Sequence, residues 1–184
     1  MSSSVWRNRA RCVFQSRLAW RSNEAVTSEF HLAYLSLGSN IEPGVNLPRA
    51  VELLSKHGEI MRISSVWESE PVGGSGGNYL NACLAYKTTL PQEILKTNVI
   101  YPIEKQLGRQ RGEDKFAPRT IDIDIIIFDG EPVGSHWLAQ AFVMVPLAEI
   151  FPKFQNPATG ESIQETSTRL RREVWIETRR GVLA

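Results

Sequence analysis

The residues best suited to chemistry are two aspartates, Asp122 and Asp124, inside a β-branched run from Thr120 to Phe128. Such a run predicts a buried strand. Because side chains alternate along a strand, both carboxylates face one side of the sheet and the intervening isoleucines face the other. Two carboxylates on one face repel each other unless a cation lies between them. The spacing therefore predicts a site for a divalent cation, and Mg2+ suits such oxygen ligands.

Three arginines, Arg109, Arg111 and Arg119, lie just upstream of these aspartates. Guanidinium groups bind phosphate oxygens through forked donors. Carboxylates, a divalent cation and arginine-bound phosphates are together the components of phosphoryl-transfer sites. A lone aspartate pair or a lone basic loop is more often a solvated surface, so their occurrence in one short window carries the prediction.

Hydrophobic periodicity predicts the elements that position these residues. Strands are predicted over 32–37, 60–67, 79–89 and 120–128. Helices are predicted over 47–56 and 91–107, with a kink or break at Pro102. A short apolar segment, Phe142–Val145, then leads into a helical turn over Val145–Ile150, and the chain beyond Pro152 gives no assignment. The order β-α-β-β-α-β predicts an α+β fold, a ferredoxin-like sandwich of an antiparallel sheet with helices on one face, plus a C-terminal extension.

Composition is that of an ordinary soluble globular protein, with 42% hydrophobic and 22% charged residues among 184. A net charge of +1 and the lack of basic, aromatic strands argue against nucleic-acid binding. No apolar run approaches the roughly 20 residues that span a bilayer, so no membrane partner is expected. Cys12 and Cys83 have neither zinc nor disulfide spacing, which favours a reducing compartment.

The first 30 residues differ from the remainder. Five arginines and no acidic residue occur between Met1 and Asn23. This composition fits an organelle transit peptide, but composition alone discriminates poorly, and the alternatives are a disordered basic extension or a start codon placed too far upstream. We therefore expect a disordered or targeting extension over 1–30 and a single domain over 31–184. The expected location is cytoplasmic, or mitochondrial if the extension is a transit peptide.

Three further motifs accompany the arginines and aspartates: Tyr34–Asn40 (YLSLGSN), Glu70–Gly73 (EPVG) and Tyr79–Ala82 (YLNA). With them, the chain from about Ala33 to about Pro152 resembles the 6-hydroxymethyl-7,8-dihydropterin pyrophosphokinases of folate biosynthesis. The resemblance implies an ATP-dependent diphosphotransferase. Its reaction moves the β,γ-pyrophosphoryl group of ATP to the hydroxymethyl oxygen of the pterin and releases AMP. The fold that it implies agrees with the order of the predicted elements.

The resemblance also implies residue roles. The catalytic residues would be Arg109, Arg119, Asp122 and Asp124, and the last two would hold two Mg2+ ions. Contacts to ATP would come from Glu104, Arg109, Arg111, Arg119 and His136. The pterin would lie against Pro71, Val72, Gly73, Tyr79, Asn81, Phe116 and Phe142. The loop over 112–117 would act as a closing lid, and the enzyme is expected to be a monomer whose partners are its two small-molecule substrates.

Two departures from the family pattern keep an alternative open. The connection over 129–141 is several residues shorter than in the family, and Gln140 stands where an ATP-contacting arginine is expected. Loss of one charge-assisted hydrogen bond weakens binding by about 1.5–3 kcal/mol. The alternative is a non-catalytic pterin- or nucleotide-binding paralogue. Without the resemblance, Tyr79 and Phe142 would be interpreted as core aromatics and Asn81 as a strand-edge cap.

Overall fold

Seven strands form one antiparallel sheet in the computed structural model, which describes residues 30–73, 76–110 and 117–183. The strands are β1 (His31–Ser39), β2 (Glu59–Ile63), β3 (Val66–Ser69), β4 (Tyr79–Thr88), β5 (Asp122–Phe128), β6 (Glu131–Pro132) and β7 (Ile176–Arg179). Their order is β6-β5-β1-β4-β3-β7, and β2 pairs with β4 beside β3. Strand β1 therefore lies between β4 and β5, the two strands that carry the predicted pterin amide and the predicted metal ligands.

The helices fall into two groups, one on each face of the sheet. They are α1 (Pro43–Ser55), α2 (Gln92–Leu95), α3 (Tyr101–Gln106), α4 (Ala141–Ile150) and α5 (Ile163–Glu173). Leu47 and Leu54 of α1 join Leu95 of α2 and Ile103 of α3 in one buried cluster against Leu35 of β1. The predicted antiparallel α+β arrangement, with both helical connections of the β-α-β-β-α-β unit on one face, is confirmed.

The opposite face of the sheet is covered by α4 and α5, which lie beyond the predicted β-α-β-β-α-β unit. Met144 and Leu147 of α4 and Leu170 of α5 pack there with Tyr34 and Cys83. Burial raises the pKa of the Cys83 thiol, which therefore stays neutral beneath this layer. The site described below lies on this face, next to the first turn of α4.

The strand predicted over 60–67 is instead two strands, β2 and β3, which pair with successive halves of β4. Ser64 separates them. Its backbone N–H donates to Cys83 O, and its hydroxyl accepts the Cys83 N–H, each at 2.9 Å. The Ser65 N–H donates to the Glu149 carboxylate at 2.7 Å. Side-chain bonds of this kind compete with a regular ladder, which explains the break.

The kink predicted at Pro102 takes the form of a π-helical turn, Lys96–Ile100, between α2 and α3. The Tyr101 N–H donates to Lys96 O, a bond that spans five residues. Proline lacks an N–H and clashes with the carbonyl four residues earlier, and a wider turn relieves both problems. The helix therefore continues to Gln106 and is not broken.

The prediction of a separate apolar segment before a helical turn near 145 is wrong in detail, because α4 is one helix from Ala141 to Ile150. Eight of its ten residues are buried. A helix that is apolar on all sides shows no helical periodicity in its sequence, which explains the misreading.

No helix among the described residues is both long and apolar enough to cross a membrane. Residues 1–29, where most of the N-terminal extension was predicted, lie outside the described part, so that extension stays a prediction.

Candidate active site

Two rows of residues across β4, β1 and β5 form the floor of the site. In the first row, Gly38 of β1 pairs with Asn81 of β4 and with Asp122 of β5. In the second row, Ser36 of β1 lies opposite Asp124. Side chains two residues apart on a strand share a face, so both rows present their polar groups to the same side. The sheet register therefore brings the predicted pterin amide and the predicted metal ligands to one surface.

A cleft of about 370 Å3 opens above this floor. Its lining residues are Ser36, Gly38, Ser69, Glu70, Pro71, Val72, Tyr79, Asn81, Arg119, Asp122, Asp124, His136, Gln140 and Phe142. Nine of the residues that the sequence assigned to the site are among them, together with Gln140. The remainder of the lining comes from residues to which the sequence gave no role.

A second cavity, of about 190 Å3, adjoins the cleft. Five residues line both cavities: Ser36, Asp124, His136, Gln140 and Phe142. The smaller cavity is otherwise lined mainly by apolar side chains, with Gln92 and Lys96 as polar additions. Asp124 thus lies at the junction of two pockets, so a ligand in one can meet a ligand in the other at this carboxylate.

An ion-pair chain holds Asp122 at the cleft. Arg109 and Arg119 each donate to the Asp122 carboxylate, and Arg109 also donates to Glu104. The Arg109 and Asp122 side chains are only 14% and 15% exposed, so solvent screens this pairing weakly. Within the described ranges, no residue forms an ion pair with Asp124.

Glu104, predicted as an ATP contact, lines neither cavity and is 2% exposed. Its carboxylate accepts the Ile123 N–H at 2.9 Å and the Arg109 guanidinium. Strand β6 pairs with β5 only at Ile127 and Phe128, so Glu104 satisfies a backbone donor at the otherwise open edge of β5. In this structure the residue anchors β5 and Arg109.

The turn after β1 holds the segment that leads into β5. Asn40 Oδ1 accepts the Arg119 N–H at 2.7 Å, while Arg119 O accepts the Asn40 N–H at 3.1 Å. The Ser39 hydroxyl donates to Thr120 O at 2.5 Å. Sequence reasoning treated Gly38-Ser39-Asn40 only as the end of a motif, and missed that this segment positions Arg119.

The Asn81 amide is fixed from beneath the cleft. Its nitrogen donates to Ser69 Oγ at 3.0 Å and to Trp67 O at 3.3 Å. A Cβ at Gly38 would lie 3.2 Å from Asn81 Oδ1, so glycine permits the close approach of this oxygen to β1. Ser69 had no role in the sequence prediction, since a serine within a strand carries no distinctive signal.

Tyr79 and Phe142 are both half-buried and both line the cleft, so they are not purely core aromatics. Gly73 lies outside the lining and has a φ of 66°, which suits a turn rather than a wall. Arg111, Phe116 and the predicted lid as far as residue 116 lie outside the described residues.

The donor chemistry at the site suits Mg2+. Among the described residues there is no cluster of three or more histidine, cysteine, aspartate or glutamate side chains that could enclose a metal. Mg2+ does not require one, because it binds through one or two carboxylates and takes its other ligands from substrate phosphates and water. Asp122 and Asp124 supply that pair on one face of the cleft.

Comparison with known proteins gives a family match. Residues 34–152 match the family model described as 7,8-dihydro-6-hydroxymethylpterin-pyrophosphokinase (HPPK). The 2-amino-4-hydroxy-6-hydroxymethyldihydropteridine pyrophosphokinase of Bacillus subtilis is 35% identical over 153 residues, which cover 76% of this chain and 90% of that protein. The protein of the same name from Aquifex aeolicus is 36% identical over 143 residues, covering 72% of this chain and 88% of its own length.

Solved structures support the fold. Plasmodium falciparum HPPK-DHPS, wild type with pteroate, superimposes with a TM-score of 0.60 at 12% identity. The match covers 77% of this chain but 42% of that one, so this chain spans less than half of the solved protein. At this identity the likeness concerns the fold alone, whereas the family model and the sequence relatives cover most of the chain. The chain belongs to the 7,8-dihydro-6-hydroxymethylpterin-pyrophosphokinase family.

Proposed function

We propose that this protein transfers the β,γ-pyrophosphoryl group of ATP to the hydroxymethyl oxygen of 6-hydroxymethyl-7,8-dihydropterin and releases AMP, a step of folate biosynthesis. The observation that carries the proposal is the pair of adjoining cavities that share Asp124. A group-transfer enzyme must bring donor and acceptor together with their reacting atoms in line. Two pockets that meet at the Asp124 carboxylate, with Asp122 beside it in the larger one, suit that arrangement.

The larger cleft suits the pterin. A flat heterocycle requires an aromatic face and a polar partner for its edge. Tyr79 and Phe142 offer aromatic surface, Asn81 offers an amide, and Pro71 and Val72 line the side of the cleft. Cross-strand neighbours lie about 4.8 Å apart. Asn81 and Asp122 flank Gly38 on opposite strands, so a pterin held at Asn81 can direct its substituent toward the aspartates.

The aspartates and arginines suit the triphosphate. Asp122 and Asp124 would hold Mg2+, and Arg109 and Arg119 would bind phosphate oxygens. A Mg2+ ion held by these aspartates would neutralise phosphate charge and lower the pKa of the attacking hydroxyl. The chain's own residues orient the two substrates across the Asp122–Asp124 face.

The ion-pair chain suggests how the site stays ordered before ATP binds. Arg109 and Arg119 hold Asp122 on the cleft side of β5, and Glu104 holds Arg109. When a polyphosphate enters, each guanidinium can exchange its carboxylate partner for phosphate oxygens, which are equally suited to its forked donors. The exchange leaves Asp122 available for the cation. Arg119 lines the cleft already, whereas Arg109 lines neither cavity and has to move to reach a phosphate.

The smaller cavity is the proposed site for the nucleoside part of ATP. Its apolar lining includes Ile100, Ile125 and Val143, and its polar lining includes His136 and Gln140. Gln140 replaces the arginine that the resemblance predicts, yet its side chain still lies at both cavities. An amide can keep a hydrogen bond there but not the charge. We therefore expect a weakened enzyme, and the second candidate function is a pterin- or nucleotide-binding paralogue without activity.

For the remaining properties we propose what the sequence predicted. The protein is a monomeric, ATP-dependent diphosphotransferase that uses two Mg2+ ions and has neither a nucleic acid nor a membrane as partner. It acts in the cytoplasm, or in mitochondria if residues 1–30 are a transit peptide.

The test is an assay of nucleotide products formed from ATP with and without the pterin and Mg2+. We expect AMP only when both are present, and a loss of at least about a hundredfold in the Asp124→Asn variant. Asp129→Asn is the matched control. Asp129 lies just beyond the far end of β5, half-exposed and bound to His31, and its positive φ of 49° suits asparagine. Pterin binding without AMP would favour the inactive paralogue.

A further inference from the structure

We propose that Ser69 is a positioning residue that fixes the Asn81 amide with its carbonyl oxygen toward the cleft. The site then selects a ligand edge that donates an N–H at this position. The inference rests on the proposed pterin site and adds a determinant of its specificity.

The donors of Asn81 are already used inside the protein. The amide nitrogen carries two hydrogens, and it donates to Ser69 Oγ at 3.0 Å and to Trp67 O at 3.3 Å. Asn81 is 2% exposed and Ser69 is 6% exposed, so water competes weakly for these bonds. Both acceptors lie on β3, which pairs with β4 on the side away from β1.

The carbonyl oxygen of Asn81 therefore lies on the β1 side. A Cβ built at Gly38 would lie 3.2 Å from Asn81 Oδ1, which places this oxygen directly beside the glycine that forms the cleft floor. Within the described part of the chain, no hydrogen-bond donor reaches Asn81 Oδ1. The amide thus offers the ligand an acceptor and no donor.

A fixed acceptor discriminates between ligands of the same shape. A pterin edge that presents an N–H pairs with Asn81 Oδ1, whereas an analogue with an acceptor there leaves two acceptors facing each other. Leaving a buried polar group unpaired costs about 1–3 kcal/mol. That range corresponds to a preference of roughly fivefold to 150-fold for the donor-bearing ligand.

Ser69 can be altered without changing Asn81 itself, which is the ligand's proposed partner, although Ser69 also lines the cleft. Without the Ser69 hydroxyl, rotating the Asn81 amide by half a turn no longer breaks the shorter bond; it costs only the longer bond to Trp67 O and the approach of Oδ1 to that carbonyl. The rotated amide, which presents its nitrogen, is then easier to reach, so the Ser69→Ala variant should discriminate less between the two kinds of edge. Ser69→Thr retains the hydroxyl on a strand where a β-branched residue fits, and should retain the selectivity.

The experiment measures the dissociation constants of 6-hydroxymethylpterin and two analogues by calorimetry with the full chain. Each analogue replaces one N–H donor of the pyrimidine edge with an acceptor: one has oxygen in place of the 2-amino group, and the other is the 4-methoxy compound without N3–H. We expect wild type to reject at least one analogue by about tenfold or more. This ratio should fall to about threefold or less in Ser69→Ala and return in Ser69→Thr, while the KM for ATP stays within about twofold.

Equal weakening of the pterin and the analogues in Ser69→Ala, with the ratio unchanged, would show a merely structural role and overturn the inference. If wild type forms AMP but shows no such ratio, the inference fails and the proposed function stands. If the ratio depends on Ser69 but no AMP forms, the function fails and the inference stands. A wild-type chain that binds no pterin would overturn both.

Discussion

Replacement of Glu104 with alanine tests whether this residue anchors β5 or contacts ATP. The change removes the acceptor of the Ile123 N–H and the partner of Arg109 in one step. The Glu104 and Arg109 side chains are 3% and 14% exposed, so solvent screens this pair weakly. Removing one member of a buried pair destabilises a protein by about 3–5 kcal/mol, and the loss here should lie near the lower end because Arg109 keeps Asp122 as a second partner. That figure already includes the cost of leaving the Ile123 N–H without an acceptor, because the Glu104 carboxylate binds both this N–H and Arg109.

A loss of this size is at least about a fifth of the stability of an ordinary domain, which is about 5–15 kcal/mol. Glu104→Gln should be milder, at about 1–2 kcal/mol, because the amide oxygen still accepts the Ile123 N–H and only the charge is lost. The neighbouring, exposed Gln106→Ala is the matched control and should change stability by less than about 0.5 kcal/mol.

Urea denaturation of the ligand-free protein, followed by tryptophan fluorescence, measures these differences in unfolding free energy. They appear as shifts of the midpoint urea concentration while the m-value stays constant. The reasoning would be refuted if Glu104→Ala lost less than about 1 kcal/mol while the KM for ATP rose. That result would return Glu104 to the ATP-contacting role that the family resemblance implies.

Three further predictions follow from local contacts. Gly58→Ala should destabilise the protein by about 1–3 kcal/mol in thermal unfolding, because its Cβ would lie 2.5 Å from the Tyr86 ring. Gly44→Ala, which meets nothing within 4 Å in α1, should be neutral or stabilising. Tyr86→Phe should destabilise the protein by about 1 kcal/mol by losing the 2.9 Å bond to Leu54 O. Burial raises the pKa of Tyr86 to about 12, so ultraviolet titration should show this phenol ionising at a higher pH than an exposed tyrosine. The hydrogen bond from Arg179 holds the pKa of Glu68 below its usual value. The ion pair therefore stabilises the docking of β7 against β3 at any pH above about 4.3, the ordinary pKa of glutamate. This stabilisation is lost as the pH falls through the lowered pKa of Glu68. Arg179→Ala should therefore destabilise the protein slightly at pH 7 and progressively less as the pH falls below about 4.3, and a difference that grows toward acid would contradict this sign.

The part of the site that rests on strand periodicity could be predicted from the sequence. The alternation at Asp122 and Asp124 depends only on the two-residue repeat of a strand, and the structure has Ile121, Ile123 and Ile125 in the core on the other face. The nearness of the arginines to the aspartates likewise follows from their small separation in sequence.

The residues that support the site could not be predicted in this way. Ser69 acts on Asn81 across a strand pair, and Asn40 acts on Arg119 from 79 residues away. Small polar residues of these kinds are common in turns and strands, and their roles depend on register, which a single sequence does not give. Glu104 was found, but its burial against β5 was not, because helix periodicity does not reveal a bond to a strand edge.

The C-terminal part of the fold was missed for two different reasons. Helix α5 begins with a capping box between Ser162 and Glu165, a signal that was present in the sequence and could have predicted it. Strand β7 is only four residues long and pairs with β3 more than a hundred residues earlier, so its pairing has no local signal.

The most direct test of the central claim is the nucleotide product formed from ATP and 6-hydroxymethyl-7,8-dihydropterin with Mg2+, separated by chromatography and quantified against the pterin product. Two cavities that meet at Asp124 predict one AMP for each pterin diphosphate, and neither product without the other. Formation of ADP would show transfer of a single phosphoryl group and contradict the account. Binding of both substrates with no product would likewise contradict it, and would show that the shorter connection with Gln140 retains the pockets without the reaction.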